Sequence, residues 1–339
     1  MKPISISVCI PVFQGSTVLK DALQSIINQT VSPVEILILD DNFLADKQEI
    51  LKTEKIISSF ADKRIHYYKS RNNHGSAKTI KKLANLAKNE ILFFLCQDDI
   101  LASGTLLKIQ EVFQEYPSVG VLTRPFFWFE ENVKRPIRVV TPYDSNQNTI
   151  LTLFDGKRAI EKIFESVGQI SGLAYRKKYI DFPFINDTFT GHIYPFASVL
   201  KKYKCMFLKD YTVAVRVRTS QTRHVSEIYS KSPTLSWVEM FQTVFSEKQF
   251  EHVRTMGTKQ ITKHYVGLIQ LKNYANSSIL RKEITILVKS RWQNIFSPRF
   301  WFYVLITSII PAFLLRKMTD VYKRNIVSKT VNTIYFPKP

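Results

Sequence analysis

The sequence is poor in cysteine, glycine and acidic residues, and it has no long hydrophobic run. Its cysteines are Cys9, Cys96 and Cys205, and none stands in a C-x-x-C or Cys/His spacing. A disulfide framework and a structural zinc site are thereby excluded. All three lie in apolar runs that read as strands, where buried free thiols suit a reducing cytosol. Acids number 28 against 48 Lys and Arg, leaving a net charge of +20. That excess predicts an anionic partner: a nucleic acid, a phosphorylated substrate or an acidic membrane surface. No apolar run reaches the roughly 20 residues of a spanning helix. The best approach to one, Phe300 to Leu315, is interrupted by Pro311. The N-terminus starts with a strand pattern running into Pro11 and lacks the apolar stretch and cleavage site of a secretory signal. The expected location is therefore cytoplasmic. Internal repeats and low-complexity tracts are absent. What is present is a 45% apolar, 13% aromatic composition, which supplies a substantial core and excludes disorder.

Strand and helix patterns alternate through the first hundred residues. Ile4 to Val12 reads as a strand, and Val18, Leu19, Ala22, Leu23, Ile26 and Ile27 recur at helical spacing. VEILILD, Val34 to Asp40, is nearly continuous apolar, as expected of a strand covered on both faces. A helix is predicted over Glu49 to Phe60, a strand over Ile65 to Tyr68, and a helix carrying Ala77, Ile80, Leu83, Ala84 and Ala87. ILFFLC, Ile91 to Cys96, is a fourth strand, and Thr105 to Phe113 a further helix. Repeats of this length imply an α/β fold of parallel strands with right-handed crossovers. Ligands in such sheets bind beyond the carboxyl ends of the strands. Residues 119 to 220 read as more strand-like and irregular, with a helix over Tyr194 to Tyr203 and a strand over Cys205 to Leu208. Helical patterns dominate from about Ser226. The predicted division is a catalytic domain over 1–225 and a helical, basic region over 226–339.

Two carboxylate pairs fall where a parallel sheet would bind a ligand: Asp40 and Asp41 end the second strand, and Asp98 and Asp99 follow the fourth. Clustered like charges are costly unless a cation or donor groups offset them. Hard oxygen ligands suit Mg²⁺ or Mn²⁺, particularly when a diphosphate completes the coordination. The ordered set SISVCIPVF, ILILDDNF, NHG and ILFFLCQDDIL resembles glycosyltransferase family 2 over about residues 4 to 110, and more weakly to about 220. That resemblance implies a GT-A, Rossmann-like fold with a mostly parallel sheet. It also implies a nucleotide-diphosphate sugar donor, a divalent cation and inversion of the anomeric centre. By position, Pro11 and Phe13 would line the nucleoside pocket. Asp41 would accept from the base, with Asp40 supporting its loop. Asp98 would contact ribose or metal, and Asp99 would ligate the metal.

The match departs from the family at several points. Cys96 stands where many relatives have an aspartate, and Ile80 where an arginine is frequent; Lys78, Lys81 or Arg71 are substitutes for the latter. Relatives place an acidic pair before the helix that precedes a Lys-Lys-Tyr-like segment. Here that place reads TGHIYPF, so His192 occupies the position of the general base, with Asp187 as the alternative. Arg216, Arg218, Arg223 and His224 form a basic cluster suited to a diphosphate. The Gln-x-x-Arg-Trp signature of processive relatives is absent, so one hexosyl-type sugar per acceptor is expected.

From Arg281 to Pro339 there are eleven Lys or Arg and two acids, around FWFYVLITSIIPAFLL. This stretch reads as a buried helix, an in-plane membrane anchor, or a tilted or re-entrant span. An anionic membrane surface, and a saccharide or lipid-linked saccharide acceptor in assembly of a surface glycan, are the expected partners; the location would be peripheral on the inner face of the cell membrane. Three other functions compete. Nucleotidyl transfer requires a glycine-rich phosphate loop, whereas PVFQGST has one glycine and no following arginine. A nucleotide-sugar-binding scaffold without catalysis is suggested by Cys96, Ile80 and His192. No recognised nucleic-acid module is present, so no nucleic-acid partner is expected.

Overall fold

The computed structural model describes residues 3–31, 34–42, 46–219, 226–323 and 334–337. The expected alternation opens the chain: β1 (Ile6–Val12), α1 (Leu19–Ile27), β2 (Val34–Asp40), α2 (Lys47–Ser59), β3 (Ile65–Lys69), α3 (Ser76–Leu86) and β4 (Ile91–Phe94). The apolar face of α1 turns Leu19, Leu23 and Ile26 into the core. Asp46 caps α2 by accepting from the Glu49 amide, a contact of about 1 kcal/mol. β1 is parallel to both β2 and β4, and β3 is parallel to β2. The carboxyl ends of these four strands therefore open together.

The chain continues through β5 (Ile100–Leu101), α4 (Thr105–Glu115), β6 (Val119–Thr123), β7 (Phe126–Phe129), β8 (Pro136–Val140), β9 (Thr149–Leu151), α5 (Lys157–Ser166), β10 (Ala174–Arg176), α6 (Ile193–Leu200), β11 (Lys204–Phe207) and β12 (Val213–Arg216). The large sheet has the order β3-β2-β1-β4-β10-β6-β11-β9, and a smaller one the order β5-β12-β7-β8. In the large sheet β10 is antiparallel between β4 and β6, and β9 is antiparallel at the edge. The sheet is thus mostly parallel, as predicted.

Two details correct the sequence reading. The segment expected to be irregular contains α5, whose Ala159, Ile160, Ile163 and Phe164 make one buried face. Cys96 lies two residues past the end of β4, whereas Cys9 and Cys205 are buried in strands.

Each face of the large sheet is covered. Ile6, Val8 and Ile10 pack with Leu23, Leu106 and Phe113 on one side. On the other side Cys9, Leu37 and Phe94 meet α3, α5 and α6, and the same core takes in two later helices, α7 (Pro233–Val244) and α8 (Glu251–Thr262). Phe241 of α7 lies 4.7 Å from Phe164. Gly257 of α8 admits that ring: a Cβ there would stand 2.2 Å from it. The boundary expected at residue 225 cuts through this packing, because α7 and α8 bury their apolar faces in the core of the sheet. A separate cluster forms around α9 (Gly267–Tyr274), α10 (Ser277–Ser290) and α11 (Pro298–Ile309), with α12 (Ala312–Tyr322) beside it. Residues 334–337 return to the small sheet, where Phe336 packs 5.3 Å from Phe127.

Candidate functional site

Backbone and amide contacts tie together the ends of β1, β2 and β4. The Asp41 amide donates to the Val12 carbonyl at 2.7 Å. The Gln14 amide donates to Asn42 Oδ1 at 2.8 Å. Gln97 grips Phe13 twice, accepting from its amide at 2.8 Å and donating to its carbonyl at 2.7 Å. Gly15 lies against this grip: a Cβ there would lie 2.0 Å from Gln97 Oε1 and displace the amide end of that side chain. The acids after β2 and those after β4 therefore flank one loop, where Pro11 and Phe13 are half-buried.

Asp40 and Asp41 have different surroundings. Asp40 accepts from the Asn42 amide at 2.9 Å and from the Tyr67 hydroxyl at 2.7 Å. Burial raises its pKa despite these donors, so Asp40 braces the loop. Asp41 accepts from the amides of His74 and Gly75, at 3.0 and 2.8 Å. It thereby ties the Asn-His-Gly turn to the end of β2. Positive φ at Gly75 (79°) lets this turn enter α3.

Asp98 and Asp99 are the electrostatic centre. Asp99 is buried; its Oδ2 accepts from the Ser171 hydroxyl at 2.5 Å and its Oδ1 from the Arg216 amide at 2.9 Å. Asp98 Oδ2 accepts from Thr219 at 2.7 Å. Burial, followed by the Asp98 charge, pushes the Asp99 pKa well above the carboxylate range; burial also raises that of Asp98. The charges of Arg216 on Asp98 and of Arg124 on Asp99 pull the other way without offsetting the burial. The hard oxygens of the pair fit Mg²⁺ or Mn²⁺ bound through one or two carboxylates, the substrate supplying further ligands. No cluster of three or more His, Cys, Asp or Glu able to hold a metal by itself occurs among the described residues.

A cation stands behind the pair. Arg124 is fully buried and donates to the carbonyls of Ser166 and Gln169, both at 2.9 Å, and to that of Ser171. It stacks over Phe126 at 4.6 Å. Burial lowers its pKa to about 9 against the pull of Asp99, so it stays charged at neutral pH. Gly172, at φ 90°, makes room for it: a Cβ there would be 2.5 Å from Arg124 Nε. Sequence reasoning missed this residue. A lone arginine between strand runs and before Pro125 reads as a solvated turn.

The segment held by Arg124 also reaches His192. Its Nε2 lies 2.9 Å from the Val167 carbonyl, so Nε2 carries the proton and Nδ1 is the basic nitrogen. Burial lowers the ring pKa to about 4, and His192 is neutral at pH 7. Gly191 immediately precedes it. A Cβ there would lie 2.5 Å from the Ile185 carbonyl, so no acid fits. Asp187 caps this turn, accepting from the Phe189 and Thr190 amides at 2.9 Å, and pairs with Lys231 at 2.7 Å. Burial works to raise its pKa, but Lys231 and the Thr190 amide outweigh it and hold the carboxyl below its ordinary range.

The basic groups separate. Arg216 enters the site: Nε donates to the Asp98 carbonyl at 3.1 Å and Nη2 to Asp21 at 2.8 Å. Arg218 points to Glu131. Arg223 and His224 lie outside the described residues. Arg71 and Lys78 are exposed around the turn that Asp41 holds. An open groove of about 750 Å³, lined in part by Tyr143, Asp144, Arg158, Lys209 and Tyr211, shares no residue with this cluster.

A model of the family described as Glycosyl transferase family 2 matches residues 7–180. An uncharacterized glycosyltransferase of Mycoplasma genitalium is 25% identical over 156 residues, covering 41% of this chain and 52% of that protein. One from Rickettsia typhi is 33% identical over 97 residues, 28% of this chain and 27% of its own length. One from Rickettsia conorii is 31% identical over 106 residues, 29% of this chain and 16% of that protein. The chain thus spans about half the length, or less, of these curated relatives. Among solved structures, S. aureus TarS 1-349 in complex with UDP-GlcNAc aligns with a TM-score of 0.61 at 14% identity, over 96% of this chain and 91% of that one. Mannosyltransferase PcManGT from Pyrobaculum calidifontis, in complex with GDP-Man and Mn²⁺, aligns at 0.55 and 10% identity, over 98% and 87%. These likenesses bear on the fold, which is that of GT-A glycosyltransferases.

Proposed function

The chain belongs to glycosyl transferase family 2, and on that footing we propose that it moves a hexosyl-type sugar from a nucleotide-diphosphate sugar to a hydroxyl acceptor, with inversion. The observation that carries this reading is the desolvated pair Asp98–Asp99 on the same loop edge as Asp41. Phe13 and Pro11 wall the base, and Asp41 accepts from it. Asp98 contacts the ribose or shares the cation. Asp99, with Asp98, would hold Mg²⁺ or Mn²⁺, which when bound neutralises charge developing on the departing diphosphate. Arg216, Arg71 and Lys78 are the nearby cationic side chains for that diphosphate, with Arg218 at the rim. The acceptor oxygen bonds to the anomeric carbon as the bond from that carbon to the diphosphate oxygen breaks. The proton of the acceptor hydroxyl passes to His192 Nδ1, with Asp187 as the alternative base.

The solved relatives bound to UDP-GlcNAc and to GDP-Man with Mn²⁺ support a nucleotide-sugar donor and a divalent cation. One sugar is added per acceptor, a saccharide or lipid-linked saccharide in assembly of a surface glycan. On this reading residues 1–225 carry the catalytic part, with α7 and α8 packed into its core, and the remainder of 226–339 is the basic helical part. The protein works in the cytoplasm, at the inner face of the cell membrane.

Calorimetry with nucleoside diphosphates and nucleotide sugars, with and without Mn²⁺, tests the donor site. Cation-dependent turnover lost in Asp99→Ala supports the reading; normal turnover in that folded variant removes the metal role. A second reading, a nucleotide-sugar-binding scaffold, is suggested by Cys96, Ile80 and His192, the points where the chain departs from the family resemblance. Tight donor binding without transfer to any of a broad acceptor panel would support it.

A further inference from the structure

The C-terminal helices carry their apolar residues on the wrong side for a solvated surface. Phe296 (74%), Ile309 (74%) and Phe313 (76%) are largely exposed, and Trp301, Phe302 and Met318 lie out with them. The opposite faces of the same helices are seated: Phe300 and Thr307 of α11 and Leu315 of α12 are buried. Phe300 packs on Tyr265 at 5.4 Å, within the C-terminal core. These helices are therefore docked inward, with a second apolar face left toward solvent. An apolar surface of this extent marks an interaction site.

Charge and length choose the occupant. Between Arg281 and Lys323 stand eight Lys or Arg and two acids, Glu283 and Asp320. Glu283 is buried against the Thr234 amide. In a two-fold dimer through this face the basic rim would meet its own copy, which is repulsive. An anionic leaflet is complementary to the same rim. α11 has 12 residues and α12 has 11, with Pro311 between them. Each falls short of the roughly 20 that cross a bilayer. No helix among the described residues is long and apolar enough to do so. A helix pair with one seated face, one apolar face and a basic rim lies in the plane of the interface.

We propose that the outer face of residues 292–322 is a docking surface for an anionic lipid bilayer, entered by aromatic and aliphatic side chains and held by the flanking Lys and Arg. The core beneath it also receives Phe189 and Tyr229. Phe189 sits in the turn capped by Asp187 that leads to His192. The bilayer surface is thereby joined to the acceptor side of the proposed site, so an acceptor carried on a membrane lipid is delivered from that direction. This link to the acceptor rests on the function proposed above; the docking surface does not.

Flotation of the full chain with vesicles tests it. The wild type is expected to float with phosphatidylcholine vesicles containing phosphatidylglycerol, and to remain below with phosphatidylcholine alone. Phe302→Ser, Ile309→Ser and Phe313→Ser together, all at exposed positions, are expected to lower vesicle partition by about tenfold or more. Melting temperature and nucleoside-diphosphate binding should be unchanged. Lys317→Glu should lower partition by a smaller factor and only on anionic vesicles. A wild type that ignores anionic vesicles, or a triple variant that floats equally well, overturns the proposal. So does a wild-type dimer that the triple variant dissociates, without vesicle binding, because the face then belongs to a second copy. Absent nucleotide binding with intact flotation would remove the donor reading and leave the docking surface standing.

Discussion

Replacing His192 with glutamine should change how the protein responds to acid. Burial lowers the imidazole pKa from 6.5 to about 4, with the Val167 hydrogen bond pulling the other way. A histidine whose folded pKa lies below its unfolded one favours the neutral ring. Its stabilising contribution is complete above pH 6.5 and is lost as pH falls toward 4. Across that gap, at about 1.4 kcal/mol per pH unit, the loss amounts to about 3 kcal/mol. Glutamine keeps an N–H donor for the Val167 carbonyl but does not titrate. Urea denaturation at pH 7 and at pH 4 should therefore show the wild type losing about 3 kcal/mol more than His192→Gln. The comparison between variants cancels the protonation of other carboxylates. Equal losses, within about 0.5 kcal/mol, would refute the claim that the ring is buried and neutral. The same variant tests chemistry: if His192 Nδ1 accepts the acceptor proton, turnover should fall by about 100-fold or more. The acid limb of the wild-type kcat/KM profile should lie nearer pH 4 than 6.5. Unchanged turnover in His192→Gln would transfer the base role to Asp187.

Other substitutions test the framework around the acids. Asp99→Asn is expected to reduce cation-dependent turnover by about 100-fold without lowering the melting temperature at pH 7. Its raised pKa means that the ionised form is disfavoured in the fold; a large loss of stability would contradict that. Arg124→Met leaves three buried carbonyls without their donor and should cost about 3 kcal/mol in denaturant unfolding, whereas a neutral effect would show that the loop holds itself. Gly15→Ala sets a methyl against Gln97 and breaks its grip on Phe13. Donor affinity measured by calorimetry should fall several-fold, for about 1–2 kcal/mol of strain, and unaltered affinity would remove that loop from the donor pocket.

The parallel part of the sheet was readable because burial on both faces makes β1, β2 and β4 continuous apolar runs. Asp41 and Asp99 stand out where such runs stop. That signal is local, a composition shift at a strand end, and parallel pairing then brings the two stops to one edge. Other features depend on contacts distant in sequence. Arg124 donates to carbonyls more than forty residues further on, and no periodicity announces a guanidinium turned inward. α5 carries an apolar stripe, but ten residues between short strands gave a weak signal inside an irregular stretch. Sequence left the run from Phe300 to Leu315 open between a buried helix, an in-plane membrane anchor and a tilted or re-entrant span. Its hydrophobicity is spread around α11, and tertiary contact alone separates the seated face from the outer one. The basic cluster divided for the same reason: Arg216 ends β12 and its amide reaches Asp99, whereas Arg218 two residues later turns to Glu131.

The stretch from Ser166 to Gly172 connects the two halves of the proposed chemistry. Ser171 holds Asp99 and also receives the Cys96 amide at 2.8 Å. Val167 holds His192. Arg124 fixes the carbonyls of Ser166, Gln169 and Ser171 along the same stretch. The side chain that would hold the leaving group's cation and the ring that would take the acceptor proton are thus aligned through one short segment, whose own support is a buried charge. Displacing that support would misplace both groups at once, and a shift of about 1 Å at reacting atoms costs on the order of 100-fold. Cys96 has a structural role in the same arrangement, because its amide anchors the serine that orients Asp99. On the proposed reading Asp99 and Asp98 would be the carboxylates facing the diphosphate, and the geometry of Asp99 would depend on Ser171 and hence on Arg124.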